Sequence, residues 1–172
     1  MKKLLKQLVI DTATDYLYLA LLIDGIEKQA VYELGIKNHS VTLMPALAEM
    51  LEKEVLSPQD LNQIIIGVGP GSYTGVRIGV TVAKMIGFLN KIEVYQISSL
   101  ALLASSSDEP YVLAMIDARR GNAFMGLYQN KDGKIICSKE DVLANIEAYQ
   151  NALKIPFSQV FTGQPKITKV LD

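Results

Sequence analysis

Leu8-Val-Ile-Asp-Thr-Ala-Thr14 opens the first apolar run of the chain, and Tyr111-Val-Leu-Ala-Met-Ile-Asp117 repeats its form far downstream. Each reads as a short apolar strand that ends in an acid. Placing Ile10-Asp11 over Ile116-Asp117 brings Leu17-Tyr18-Leu19-Ala20-Leu21 over Ala123-Phe124-Met125-Gly126-Leu127. With two residues inserted, Asp24-Gly25 meets Asp132-Gly133, and Asp-Gly between strands signals a tight hairpin. An internal duplication of strand–turn–strand units is the simplest reading. The alternative is coincidence, since strand, Asp, strand, Asp-Gly is a common pattern.

The stretch between the repeats supplies the rest of a lobe. Strands are expected at Tyr16 to Ile23 and Glu27 to Leu34. From Ser40 to Leu56, apolar residues at Val41, Met44, Leu47, Ala48, Leu51 and Val55 have helical spacing, with Pro45 expected to bend the first turns. Ser57-Pro58-Gln59-Asp60 breaks that helix. Ile64 to Val68 is a continuous apolar run, as a buried parallel strand requires. A glycine-rich loop, a helix from Thr74 to Leu89, a strand from Glu93 to Ile97 and a short helix from Ser99 to Ala104 follow. Ser105 to Pro110 reads as a linker, so the domains expected are residues 1–107 and 108–172. Two lobes of this βββαβα type are how the actin, hexokinase and Hsp70 ATPase fold is built. The predicted class is α/β, an actin-like (ribonuclease H-like) duplication of mixed-sheet units. Val160 to Gly163 reads as a strand without its helical cover, so the second lobe is expected to be incomplete.

The 172 residues carry 17 Lys and Arg against 18 Asp and Glu, a net charge of -1. A pI near 5.9 argues against tight unaided RNA binding, which usually goes with a pI above about 9. Apolar residues make up 49% of the chain, enough to bury a core and to exclude disorder. The mean hydropathy of +0.22 leaves an apolar excess to be placed somewhere. Leu17 to Ile23 is the longest apolar stretch, far short of the roughly 20 residues of a spanning helix. Lys2 and Lys3 mimic a signal peptide, but Lys6, Gln7 and Asp11 interrupt its apolar region. One cysteine, Cys137, excludes an internal disulfide and fits a reducing compartment. The expectation is a cytoplasmic protein that meets no membrane.

Gly69-Pro-Gly-Ser-Tyr-Thr-Gly-Val-Arg-Ile-Gly79 could cradle a phosphate between a strand and a helix. It lacks the Gly-Lys-Ser/Thr of a Walker A loop and the third glycine of a dinucleotide fingerprint. A tight strand-to-helix turn is the preferred reading. In the helix, Gly75, Gly79, Ala83 and Gly87 recur every four residues and form a stripe without bulk. Ile78, Val82, Met85, Ile86 and Leu89 form a larger apolar face beside it, with Val76 and Val80 on the far flank. Arg77, Thr81 and Lys84 make the polar strip. Such a wide apolar arc exceeds what a surface helix needs. Either the helix is buried by its own lobe, or one side meets the sheet and the other meets a partner helix.

Asp11, Thr12 and Asp117 are weak nucleotide-binding candidates, because acids at these strand ends lie near the metal-bound nucleotide in the actin-like fold. Neither hairpin has the early glycine that wraps phosphates, so ordinary ATP hydrolysis is expected to be impaired. His39 is the only histidine, which excludes a two-histidine metal site in one chain. It is read as a polar residue at a helix N-terminus, and Cys137 as a small core residue rather than a nucleophile. No metal site and no catalytic residue are predicted.

The motifs Leu8-Val-Ile-Asp-Thr-Ala-Thr14, Gly69 to Gly79 and Ile116-Asp-Ala-Arg119, in this order and spacing, resemble the TsaB (YeaZ) family. These are bacterial threonylcarbamoyladenosine biosynthesis subunits. The resemblance covers most of the chain. It implies a non-catalytic scaffold that supports the catalytic subunit TsaD, with the ATPase TsaE. Together they modify the adenosine next to the anticodon of tRNAs reading A-starting codons. The docking surface then falls on Val41, Met44, Pro45, Ala48, Gly75, Val76, Arg77, Gly79, Val80, Ala83 and Lys84. The same helices would serve a homodimer, and tRNA would be reached only through the complex. No cofactor is expected to bind tightly, and ATP or ADP is expected, if anywhere, at the partner interface. Two departures stand out: Asn122 follows Gly121 where relatives commonly have an acid, and relatives run on past Asp172. The competing readings are an active ATPase or sugar-kinase-like enzyme of the same fold, and, with less support, a protease acting on a paralogue.

Overall fold

Residues 4–35 and 38–171 are described by the computed structural model; Lys2 and Lys3 lie outside them. The chain divides into two compact units, residues 1–68 with 72–97 and residues 69–71 with 98–172. In the first, β1 (Lys6–Asp11), β2 (Tyr16–Ile23) and β3 (Ile26–Leu34) lead through α1 (His39–Lys53) and a 3-10 turn (Pro58–Asp60) to β4 (Gln63–Gly67). α2 (Tyr73–Asn90) and β5 (Glu93–Ile97) complete it. The sheet order is β3-β2-β1-β4-β5, antiparallel from β3 to β1 and parallel from β1 to β5.

The second unit holds α3 (Ser99–Ala104), β6 (Tyr111–Asp117), β7 (Asn122–Lys131), β8 (Lys134–Asn145), α4 (Ile146–Ala152) and β9 (Ser158–Val160). Its order is β8-β7-β6-β9, with β6 and β9 parallel. It repeats the first four strands of the first unit, β6 standing for β1, β7 for β2, β8 for β3 and β9 for β4, with no described counterpart of β5. This is the mixed-sheet duplication of the actin-like fold. The strand expected at Val160 to Gly163 is found at Ser158–Val160, sharing only Val160 with the expected span. The first unit begins again after residue 71 and ends at Ile97, ten residues before the boundary read from the linker. α3 belongs with the second unit because Leu100, Leu103 and Ala104 pack on Val112, Ala114 and Ile116.

Both Asp-Gly turns form as expected. Asp24 and Gly25 have φ of 51° and 76°, Asp132 and Gly133 of 52° and 79°. Positive φ at both central positions is the type I′ turn whose twist matches the flanking strands.

The overlay of the repeats needs one correction. Asp11 pairs with Tyr18, but Asp117 pairs with Ala123, so the second connection is one residue shorter. Leu19 therefore corresponds to Phe124, not Met125. A one-residue slip moves a side chain to the opposite face, and the packing agrees. Leu19 shares a cluster with Ile10, and Phe124 packs on the cluster of Ile116. Met125 belongs to the opposite face with Leu113 and Leu127. The shorter connection turns through Arg119, Arg120 and Gly121 at φ of 70°, 56° and 76°. For a residue with a Cβ that conformation costs about 1–2 kcal/mol.

α1 and α2 cover one face of the first sheet. Leu43, Leu47, Met50 and Leu51 of α1 and Ala83 and Ile86 of α2 join Leu8, Ile10, Ile64 and Ile66 in one buried cluster. The glycine stripe of α2 faces this sheet. Thr12 Oγ1 donates to the Gly75 carbonyl at 2.7 Å. A Cβ on Gly75 would overlap the Thr12 carbonyl oxygen, and one on Gly79 would lie 2.5 Å from Thr12 Oγ1 and 3.1 Å from Ile66 Cδ1. On Gly87 it would meet Val94 Cγ2 at 2.5 Å. The cost of three helical glycines, about 1 kcal/mol each, is offset by close packing within the unit itself.

In the second unit, the expected linker is a pinned corner. Ser105 is fully buried; its hydroxyl donates to the Leu102 carbonyl and accepts the Lys166 N–H at 2.9 Å. Asp108 accepts from Lys166 Nζ at 2.9 Å and Lys169 Nζ at 2.5 Å. Cys137, expected in a core, is exposed, because β8 is an edge strand.

Gly75→Ala is expected to lower the urea midpoint, by about 1–3 kcal/mol of strain, although alanine is the better helix former. Hydrogen bonds from Lys169 and then Lys166, with their charges, lower the Asp108 carboxyl from 3.8 to about 2. A folded-state value below the unfolded one adds stability above the unfolded value, and that stability is lost as pH falls from about 4 towards 2. The advantage of the wild type over Asp108→Asn is therefore expected at pH 7 and absent below about pH 2, read by denaturation across that range.

Candidate functional site

With its glycines inward, α2 must turn its opposite side to solvent. Tyr73, Thr74, Arg77, Thr81, Lys84, Met85, Phe88 and Leu89 are all exposed. Phe88 is 85% exposed and Leu89 70%, a heavy apolar load for a surface helix. On α1, His39, Leu43, Leu47 and Met50 point inward, which leaves Val41, Met44, Pro45 and Ala48 outward. α1 runs through Pro45 as one helix.

Of the docking residues read from the sequence, Val41, Met44, Pro45, Ala48, Arg77 and Lys84 are thus exposed. Val76 and Val80 are half-buried. Gly75, Gly79 and Ala83 are buried against their own sheet. A bulky residue at Gly79 or Ala83 would disturb the unit itself and not only a partner. Tyr73, Met85, Phe88 and Leu89 were missed as a surface, Met85 and Leu89 having been grouped with the buried Ile86. The usable signal was the stripe itself: when glycines face the sheet, residues half a turn away face out.

Charge is segregated on this surface. α2 carries Arg77 and Lys84 and no acid from Tyr73 to Asn90. Arg77 lies over the Tyr73 ring at 5.3 Å, and its Nη1 donates to the Tyr73 hydroxyl at 3.4 Å. Acids collect on the α1 side. Glu49 pairs with Lys53 at 2.7 Å, while Glu52 and Asp60 border a groove of about 600 Å³ lined by Met44, Ala48, Val55 and Ile86. Asp60 caps its own turn, accepting from the Ser57 N–H at 2.8 Å and hydroxyl at 2.6 Å.

The nucleotide candidates are engaged within the protein. Asp11 is buried and its Oδ1 accepts the Ala13 N–H at 2.8 Å. Thr12 is fully buried and its hydroxyl bonds Gly75. Asp117 is exposed, and its Oδ1 accepts the Arg119 N–H at 3.0 Å, so the two acids make the same turn in each repeat. The glycine loop spends its donors inward. Gly69 N–H donates to Ser99 Oγ at 3.0 Å, Ser72 N–H to the Ala13 carbonyl at 2.7 Å, and Gly75 N–H to Ser72 Oγ at 3.2 Å. These bonds describe a tight strand-to-helix turn.

His39 begins α1, buried, with Nε2 donating to the Thr14 carbonyl at 2.8 Å. The carbonyl can only accept, so the proton sits on Nε2. Burial first, then the charges of Asp141 and Glu140, raise the Cys137 thiol, which weakens it as a nucleophile. Among the described residues, no three His, Cys, Asp or Glu side chains group to hold a metal, and no helix is long and apolar enough to cross a membrane.

Residues 22–170 match the family model described as TsaD, tRNA N6-adenosine threonylcarbamoyltransferase. The tRNA threonylcarbamoyladenosine biosynthesis protein TsaB of Bacillus subtilis (strain 168) is 42% identical over 128 residues, 73% of this chain and 56% of that protein. Its namesake in Escherichia coli (strain K12) is 34% identical over 132 residues, 74% and 57%. The chain thus spans little more than half the length of these relatives. The solved structure of YeaZ from Pseudomonas aeruginosa superposes with a TM-score of 0.78 at 28% identity, over 90% of this chain and 71% of that one.

Proposed function

The chain belongs to the TsaB (YeaZ) family, and on that footing we propose that it is a non-catalytic subunit of a tRNA threonylcarbamoyladenosine-forming assembly. It docks a TsaD-type catalytic subunit, with a TsaE-type ATPase as the third member, in the cytoplasm. The group transferred goes to the adenosine next to the anticodon of tRNAs reading A-starting codons, and this chain reaches tRNA through the complex. The observation that carries the reading is the exposed apolar row Met85, Phe88 and Leu89 on α2, with Val41 and Met44 exposed on α1. Aromatic and methionine side chains surrounded by charge are the composition of a protein interface. A near-neutral chain with this surface is suited to act through a bound protein.

A second copy of the chain also fits that surface, as a second reading. α2 offers cations and α1 acids, so a two-fold arrangement that crosses α1 of one copy with α2 of the other satisfies both.

Met85→Asp with Phe88→Asp is expected to weaken binding to a TsaD-type subunit by at least about 30-fold, the loss of one interface hot spot. The urea midpoint should hold, because both side chains are solvent-exposed. Titration calorimetry reads the first and denaturation the second; undiminished binding would remove α2 from the interface. If copies pair through charge, the dimer fraction on a sizing column is expected to fall as salt rises, and a salt-independent dimer would exclude that pairing.

A further inference from the structure

The connection between β6 and β7 holds two adjacent arginines in an uncommon state. Arg119 and Arg120 both take the left-handed conformation that asparagine or glycine adopts more readily. The corresponding connection in the first repeat is one residue longer and has no residue of positive φ. The short turn is held on every side. Asp117 Oδ1 accepts the Arg119 N–H, the Ala118 N–H donates to the Asn122 carbonyl at 3.0 Å and the Asn122 N–H to the Arg119 carbonyl at 3.1 Å, and the Gly121 carbonyl accepts from Asn145 Nδ2 and the Ile146 N–H. The result is a fixed tip, with both arginines exposed and neither guanidinium in an ion pair among the described residues.

Among the other described cations, Lys53, Lys166 and Lys169 pair with acids and Arg77 covers Tyr73; Arg119 and Arg120 differ in standing side by side on one hydrogen-bonded turn. Asp117, the acid nearest in sequence, is turned to the backbone of Arg119. Two unpaired arginines on a held backbone match a polyanion, because each planar fork suits phosphate oxygens and the backbone that carries them loses little entropy on binding.

We propose that Arg119 and Arg120 contact the phosphate backbone of the tRNA held by the assembly. The inference rests on the tRNA-modification reading above, which supplies the polyanion; on charge alone an acidic protein would compete. Two contacts agree with a chain of net charge -1, which adds to RNA binding without providing it. The arginines belong to the second unit and the α1–α2 surface to the first, so each can be altered without touching the other's residues.

The test is the double variant Arg119→Gly with Arg120→Gly, which suits the left-handed backbone and removes both charges. Arg119→Lys with Arg120→Lys keeps the charge. Filter binding of an unmodified tRNA transcript is measured against salt concentration, for the full chain alone at low ionic strength and for its complex with a TsaD-type subunit. The glycine variant is expected to bind tRNA about tenfold more weakly and to flatten the salt dependence by one to two contacts' worth, roughly 0.7–0.9 in log–log slope each. The lysine variant should retain the slope, and the sizing-column complex should form with all three. Unchanged tRNA affinity and slope in the glycine variant overturn the proposal. So does loss of protein assembly with tRNA binding intact, which would assign the arginines to an acidic protein. If the wild-type chain forms no complex with the catalytic subunit, the subunit reading falls, and the chain-alone arm still decides on the arginines.

Discussion

The Thr12 hydroxyl on the Gly75 carbonyl, at 2.7 Å, sets the geometry on which the first unit depends. It ties the end of β1 to the first turn of α2 at a separation that no Cβ would permit. Gly79 and Gly87 continue the approach along the sheet, and Ser72 closes the helix start by accepting the Gly75 N–H. Once α2 lies this close, its inward face is taken up by small residues and Ile86. The larger residues at 73, 85, 88 and 89 are left for solvent or a partner. A docking surface is thus the reverse side of a packing constraint.

The two repeats answer the same pattern with different connections. Asp11 and Asp117 both accept the N–H two residues on, and both second turns are type I′. Losing one residue between β6 and β7 obliges the chain to turn through left-handed arginines, while the longer first connection stays relaxed. The apolar clusters follow the shorter register, which is why Phe124 and not Met125 shares the face of Ile116. Duplication conserves the sheet order, and the connections carry the differences.

Much of this was legible in the chain. The strands at Tyr16–Ile23, Glu93–Ile97 and Tyr111–Asp117 and the helix at Ser99–Ala104 have the bounds that period and turn residues gave them. Val41, Met44 and Ala48, which spacing grouped with the inward Leu47 and Leu51, were placed on a docking surface by the family resemblance, and they are exposed. Less legible were α4, whose seven residues are too few for a clear period, and the pinned corner at Ser105, whose serines look like linker until Lys166 and Lys169 are brought to them. Cys137 was read inward because its neighbours are apolar, but an edge strand exposes such residues.

By itself the sequence determined the local periods, the hairpin turns, the repeat and the family, because each depends on residues close together or on motifs in fixed order. It also determined that α2 has two apolar sides and a stripe without bulk. Which side faces the sheet was decided only by tertiary structure, since that depends on Thr12, Ile66 and Val94 arriving from distant strands. The same holds for the one-residue difference between the repeats. An alignment of residue types tolerates a slip of one, whereas hydrogen-bonded strands do not, because each slip exchanges the faces of the sheet.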